Sequence, residues 1–258
     1  MTTVLRHSWY MSLRDLRNLA RQPWWIAISL AQPLVYLLLY SALFENVAEI
    51  PGFEGDSYLD FVVPGIVLMT AMFSGGWAGM GIINDLDRGV IDRLLVTPVS
   101  RAALSVGRLM QQAIVTIIQS LILVGLGLAI GTNFPGGVLG VAVLIASAVV
   151  LGTAFGALSI GLALVVRKEE SVIGAVQLLL LPLTFLSSVF MQRDLMPGWI
   201  QEVARFNPAE WAVRAGREAV AAEVDWSVVG SHVGYLAVFT LASAWLATRG
   251  FRAYQRSV

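Results

Sequence analysis

The sequence predicts an all-α integral membrane protein with six transmembrane helices and both termini on the cytoplasmic side. The 17 basic and 17 acidic residues all avoid six long stretches, approximately 24–44, 61–83, 109–130, 138–166, 171–191 and 227–248. Each stretch has about 20 residues or more, enough to cross a ~30 Å hydrocarbon layer as a helix rising ~1.5 Å per residue. Only helices and closed barrels satisfy their backbone in lipid, and unbroken apolar runs of this length mean helices. Basic residues then set the orientation. With the N-terminus inside, pieces 1–23, 84–108, 167–170 and 249–258 carry four, four, two and three of them, whereas outer pieces 45–60 and 131–137 carry none. The outer segment 192–226 runs against this trend with Arg193, Arg205, Arg214 and Arg217.

Six spans in 258 residues leave little chain for a soluble domain, so 1–258 reads as one transmembrane domain. Cysteine is absent, which excludes disulfides and thiolate metal sites. The net charge of zero gives no support for nucleic-acid binding. Arginine supplies 16 of the 17 basic residues, a weak sign of a GC-rich genome.

The elements follow in order. Residues 1–23 hold an amphipathic interfacial helix over 4–22, with Leu5, Trp9, Leu13, Leu16 and Ala20 on one side. Arg6, Arg14, Arg17 and Arg21 take the other side, the pattern of a helix lying on the inner leaflet. Pro23 starts the first span at a bend. No small-x-small cleavage site follows, so this span is read as retained rather than as a removed signal. The 45–60 loop is acidic, with Glu45, Glu49, Glu54, Asp56 and Asp60. That is either an attractant for a cationic solute or an ordinary solvated loop.

The cytoplasmic segment 84–108 places Val90, Ile91, Leu94 and Leu95 on one helical face, with Asp92 and Arg93 pointing away. Thr97-Pro98 breaks that helix and Ser100 can cap the next. Docking to a soluble partner and resting on lipid headgroups both fit such a helix. The outer segment 192–226 reads as two short helices begun by Pro197 and Pro208, with Trp199 and Trp211 at headgroup level. Arg205, Glu210, Arg214, Arg217 and Glu218 are expected there as ordinary solvated pairs.

Several spans carry weakly polar stripes at helical spacing: Ser29, Gln32, Tyr36 and Tyr40; Thr70, Ser74 and Trp77; Gln112, Thr116 and Gln119; Gln177, Thr184 and Ser188. Such stripes glue helices together or line a wet path. Gly75/Gly79, Gly127/Gly131 and Gly152/Gly156 are small-residue pairs that permit close helix approach. Pro33 and Pro182 can bend the first and fifth spans. No span is expected to hold a charge, whereas ion-coupled transporters commonly use one. The chain also lacks a P-loop, since its only lysine, Lys168, has no Gly-Lys-Ser/Thr context. Uphill transport would therefore draw its energy from a separate ATPase subunit.

The run Asp87-Arg88-Gly89-Val90-Ile91-Asp92-Arg93-Leu94-Leu95-Val96-Thr97-Pro98-Val99-Ser100-Arg101 resembles the cytoplasmic signature of ABC-2 type permeases, including the daunorubicin-resistance permeases. Val90 stands where threonine is usual. Met196-Pro197-Gly198-Trp199-Ile200-Gln201 followed by Asn207-Pro208 resembles the segment these permeases place before their last span. The resemblance covers essentially the whole chain. It implies a permease in a bacterial cytoplasmic membrane, paired with a second permease, identical or related, and with two cytoplasmic ATPase subunits. Those ATPases would bind the ATP and magnesium, and this chain would hold no cofactor of its own. Coupling to them would run through Asp87, Arg88, Gly89, Asp92, Arg93, Leu94, Leu95, Thr97, Pro98 and Arg101. The solute path would lie between spans two and five of the two permeases, on faces including Met69, Phe73, Gly76, Met80, Gln177, Leu181, Thr184 and Ser188. Pro197, Trp199, Asn207, Pro208 and Trp211 would form an outer gate. These apolar, aromatic and Met faces suit a drug-like or lipid-like amphiphile moved out of the cell.

Three other readings stay open on the sequence: export of a glycan or lipid-linked polymer, an ATP-independent channel or structural subunit, and an intramembrane serine protease using Ser159 and His232. Depth argues against the protease. Ser159 and His232 differ by roughly 20 Å along the membrane normal at ~1.5 Å per residue, and a nucleophile and its base must meet within ~3 Å.

Overall fold

The computed structural model describes residues 23–50, 53, 57–88 and 101–255. The interfacial helix over 4–22 and the coupling positions Gly89, Asp92, Arg93, Leu94, Leu95, Thr97 and Pro98 lie outside the described residues. Regular structure among the described residues is helical throughout: α1 (Pro23–Leu43), α2 (Tyr58–Gly76), α3 (Ala78–Asp87), α4 (Arg101–Ile130), α5 (Gly137–Val166), α6 (Glu169–Phe185), α7 (Gly198–Ala204), α8 (Pro208–Val220) and α9 (Trp226–Gln255). Short 3₁₀ turns fill Glu45–Glu49 and Arg193–Leu195.

Four stretches among them are long and apolar enough to cross a membrane: Tyr58–Asp87, Val106–Ile130, Gly137–Val166 and Trp226–Arg249. Ala27–Leu43 is a shorter apolar helix. The outer surface is itself apolar, with Leu38, Leu178, Val238 and Leu241 all exposed. Lipid, not water, is the solvent such a surface matches.

The sequence predicts a fifth span over 171–191, and the structure shortens it. Its helix ends at Phe185, 17 residues long, a rise of about 26 Å. Residues 186–192 continue as turns and irregular backbone. Pro182 has already removed one hydrogen-bond donor from the last turn of α6. The Asn207 side chain then takes the Leu183 and Leu186 carbonyls, at 2.7 and 2.8 Å. With its end capped from outside, the helix has no reason to continue.

Helix α5 is the hub, packing against α2, α3, α4, α8 and α9. It is apolar all round and buries Leu144, Leu151, Ile160 and Leu164, as a central helix must. The expected glycine pairs bring its neighbours close. A Cβ on Gly75 would collide with the Gly152 carbonyl, and one on Gly79 with the Ser159 carbonyl and hydroxyl. Gly127 packs on Val63, but its expected partner Gly131 has φ +116 and closes α4 instead of packing. Near the other end of α5, Gly136 and Gly140 lie under the Ala219 carbonyl of α8. So α8 sits at one end of α5 and α3 near the other.

The last helix starts on a capped turn. The exposed Asp225 carboxylate accepts from the Ser227 hydroxyl at 2.7 Å and from its amide at 2.8 Å. Those bonds hold it below the usual carboxylate range.

Candidate functional site

A cavity of about 560 Å³ opens between α1, α2, α3 and α4. Its walls mix two chemistries. Met69, Phe73, Trp77 and Met80 from α2 and α3 supply apolar and aromatic surface, while Gln111, Gln112 and Gln119 from α4 supply amides. Ser29 and Gln32 of α1 face in as well.

The polar stripes do the gluing that their spacing allows. Gln112 donates to Ser74 at 2.9 Å and to Thr116 at 3.2 Å, tying α4 to α2. Gln119 donates to Ser29 at 2.9 Å, tying α4 to α1. Its Oε1 is buried with no hydrogen-bond partner.

One end of the cavity carries charge that the polar stripes do not signal. Arg108 of α4 forms an ion pair with Asp85 of α3 and donates to the Gly81 carbonyl at 2.8 Å. Both side chains are mostly buried, and Glu169, at the start of α6, lines the same end. Asp85 and Arg108 lie 23 residues apart across the 84–108 segment, so no local period links them. Asp87 and Arg88 end the described part of that segment, and Arg101 begins α4 beyond it.

The eight positions expected along the solute path divide. Met69, Phe73 and Met80 line the cavity. Gly76 lies against Leu180 and Val176 of α6. Gln177 and Leu181 are exposed on the outer face of α6. Thr184 is buried and donates to the Leu180 carbonyl at 2.8 Å. Ser188 belongs to the turn after α6 and is buried there.

That turn is held by groups the sequence reading takes for solvated pairs, and here the structure corrects it. Glu210 is only 2% exposed. Its Oε2 accepts from the Ser188 amide at 2.6 Å. Arg217 donates to the Ser188 and Val189 carbonyls, and its Nε reaches the Phe61 carbonyl of α2 at 3.0 Å. Its guanidinium lies 3.5 Å over the Phe61 ring, a cation–π contact. The Tyr58 hydroxyl donates to the Phe190 carbonyl at 2.8 Å. Irregular backbone inside an apolar bundle persists only if its polar groups are met, and these side chains meet them. Arg205 does form an exposed pair, with Glu202 at 3.6 Å.

Of the positions expected at an outer gate, Asn207 reaches this turn through the Leu186 carbonyl. Pro208 opens α8, and Asn207 caps it by accepting from the Ala209 amide at 2.9 Å. Trp211 donates to the Arg205 carbonyl at 2.8 Å. Pro197 precedes α7, and Trp199 is exposed on it.

Ser159 has a structural partner on each side. Its hydroxyl accepts from the Gly79 amide at 3.0 Å and donates to the Gly76 carbonyl. These are the backbone groups left over where Trp77 interrupts α2 and α3. His232 sits near the start of α9, with Nδ1 2.8 Å from the Val228 carbonyl. Neither is placed for nucleophilic chemistry.

A helical bundle with an apolar exterior and an internal cavity of mixed polarity defines a membrane-embedded protein of the transport type. The chain belongs to the ABC-2 type transporter family, whose pattern matches residues 6–220. It is similar to the daunorubicin resistance ABC transporter permease protein DrrB1 of Streptomyces coeruleorubidus, 27% identical over 93% of this chain and 83% of that protein. It is also 28% identical to the probable doxorubicin resistance ABC transporter permease protein DrrC of Mycobacterium tuberculosis, over 72% of this chain and 66% of the relative. A putative transport permease, ycf38, of Cyanophora paradoxa is 30% identical over 76% and 68%.

Proposed function

We propose that this chain is the membrane subunit of an ATP-driven exporter that moves a drug-like or lipid-like amphiphile. The observation that carries the reading is the cavity. It sets Met69, Phe73, Trp77 and Met80 against Gln111, Gln112 and Gln119, with charge confined to one end. Such walls match a solute with a flat apolar body and a few hydrogen-bonding groups. A long hydrophilic glycan would leave the apolar half unmatched. The names of the drug-resistance relatives agree with this choice.

Energy comes from two separate P-loop ATPase subunits, which hold the ATP and magnesium. A second permease, identical or related, completes the path. ATPase closure reaches the membrane through 84–108, with Asp87, Arg88, Gly89, Asp92, Arg93, Leu94, Leu95, Thr97, Pro98 and Arg101 as coupling residues. Both termini are cytoplasmic, in a bacterial plasma membrane. The outer helices at 197–220 act as a lid or exit gate.

The test uses inside-out vesicles holding the chain and its cognate ATPase, with ATP-dependent uptake of a fluorescent amphiphile as the readout. Phe73→Ala removes an aromatic wall and should cut uptake about tenfold, the order expected when one apolar contact worth ~1.5 kcal/mol is lost. Uptake of a polar polymer alone, or uptake that continues without any ATPase, sinks the reading.

A further inference from the structure

A second pocket, of about 360 Å³, lies at the α8 end of the bundle, between α8 and the start of α9. It is separate from the solute cavity and shares no lining residue with it. Arg193, Arg205 and Arg214 line it, with Trp211, His232 and Tyr235. These are three of the four arginines that break the basic-residue asymmetry of the chain. Little on the protein occupies them. Among the described residues, Arg193 reaches only the Gln201 carbonyl, at 3.4 Å, and Arg205 has a solvent-exposed pair with Glu202. Among the described residues, Arg214 is exposed with no carboxylate within 4.0 Å.

Glu210 also lines this pocket, and its second oxygen, Oε1, is buried with no hydrogen-bond partner. Arg217 lies beyond it, donating to the carbonyl of the same Ser188 whose amide Glu210 holds. The pocket thus offers several cationic forks and one unmet acceptor. Guanidinium forks match phosphate oxygens, and an unmet buried carboxylate oxygen calls for an O–H or N–H donor.

The surroundings favour a lipid as the source. Phe206, next to Arg205, is 80% exposed, and Trp199 is 64% exposed. Trp211 and Tyr235, whose rings lie 5.6 Å apart, are amphipathic residues of the kind enriched at headgroup level.

We propose that this pocket binds the phosphodiester of a glycerophospholipid headgroup. Arg193, Arg205 and Arg214 meet the phosphate, and Glu210 Oε1 accepts from a headgroup O–H or N–H. The site does not depend on the export reading, because it requires neither an ATPase nor a transported solute.

The test is a titration of the lipid-depleted full chain in detergent with fluorescent short-chain lipids. Phosphatidylglycerol should bind tightest, phosphatidylcholine (phosphate but no donor) more weakly, and diacylglycerol weakest. The double substitution Arg193→Gln/Arg214→Gln should weaken phosphatidylglycerol about twenty-fivefold, roughly fivefold for each arginine. Arg249→Gln, on the far end of α9, should leave it unchanged and serves as the control for general charge loss. Glycerol phosphate should compete only at far higher concentration. If it competes as well as the intact lipid, the site belongs to a soluble phosphate ester and the lipid assignment falls. Equal affinity for diacylglycerol, or no loss in the double variant, overturns the site altogether.

Discussion

Asn207 holds two helices with one side chain. Its amide N–H groups take the last free carbonyls of α6, and its oxygen caps the first turn of α8. It is itself 2% exposed. Asn207→Ala removes an N-cap, at about 1 kcal/mol, and strands two half-buried carbonyls that solvent partly reaches, at about 1–3 kcal/mol together. The expected loss is about 2–4 kcal/mol, read as a lower midpoint in thermal unfolding in detergent. Asn207→Asp keeps the cap acceptor but turns a buried carboxylate oxygen toward both carbonyls, so its midpoint should fall at least as far as that of the alanine variant. An unchanged midpoint in the alanine variant would mean that the junction is held by packing alone. The Asn-Pro pair was legible in the sequence as a helix start. Its reach back 24 residues to Leu183 was not, because a tertiary hydrogen bond leaves no period in the chain. The same holds for Glu210 and Arg217, whose seven-residue spacing on α8 looks like any solvated helix face.

Individual elements were legible to different degrees, and the differences have physical causes. Apolar length placed α4, α5 and α9 well because a long charge-free run has no competing reading. The same signal overran α6, since Leu186, Val189 and Phe190 are as apolar as a helix would be but serve an irregular turn. It also passed over the break at Trp77, which lies inside an unbroken apolar run. That break is repaired from α5, where Ser159 meets the amide of Gly79 and the carbonyl of Gly76. Ser159→Ala leaves both groups buried without partners, at a cost of about 1–3 kcal/mol each when unmet. The substitution should lower the unfolding midpoint and raise amide exchange at 77–81 above that of α2 and the rest of α3. Exchange that rises uniformly along the helix, or not at all, would show that the break does not depend on this hydroxyl.

Across the whole molecule, charge is sorted to the two ends of a largely neutral bundle, and each end uses it differently. At the α8 end, Glu210 and Arg217 pin an irregular turn. At the other end, Arg108 and Asp85 join α4 to α3, the two helices that flank the undescribed segment 89–100. Arg108 also lines the cavity wall, so the pair joins the start of α4 to the cavity. Arg108→Gln removes the cation and leaves Asp85 mostly buried without its partner. A partly buried pair broken on one side should cost more than the ~0–1 kcal/mol of an exposed pair. In the complex proposed above, with a separate ATPase, this variant should retain basal hydrolysis and lose several-fold of the amphiphile-stimulated part. The swap Asp85→Arg/Arg108→Asp restores the attraction with the charges reversed, and it should recover at least half of that stimulation. If the single variant keeps full stimulation, the pair is a passive staple and coupling must pass elsewhere. If the single variant loses it and the swap fails to restore it, the Gly81 carbonyl that Arg108 also holds is the element that matters.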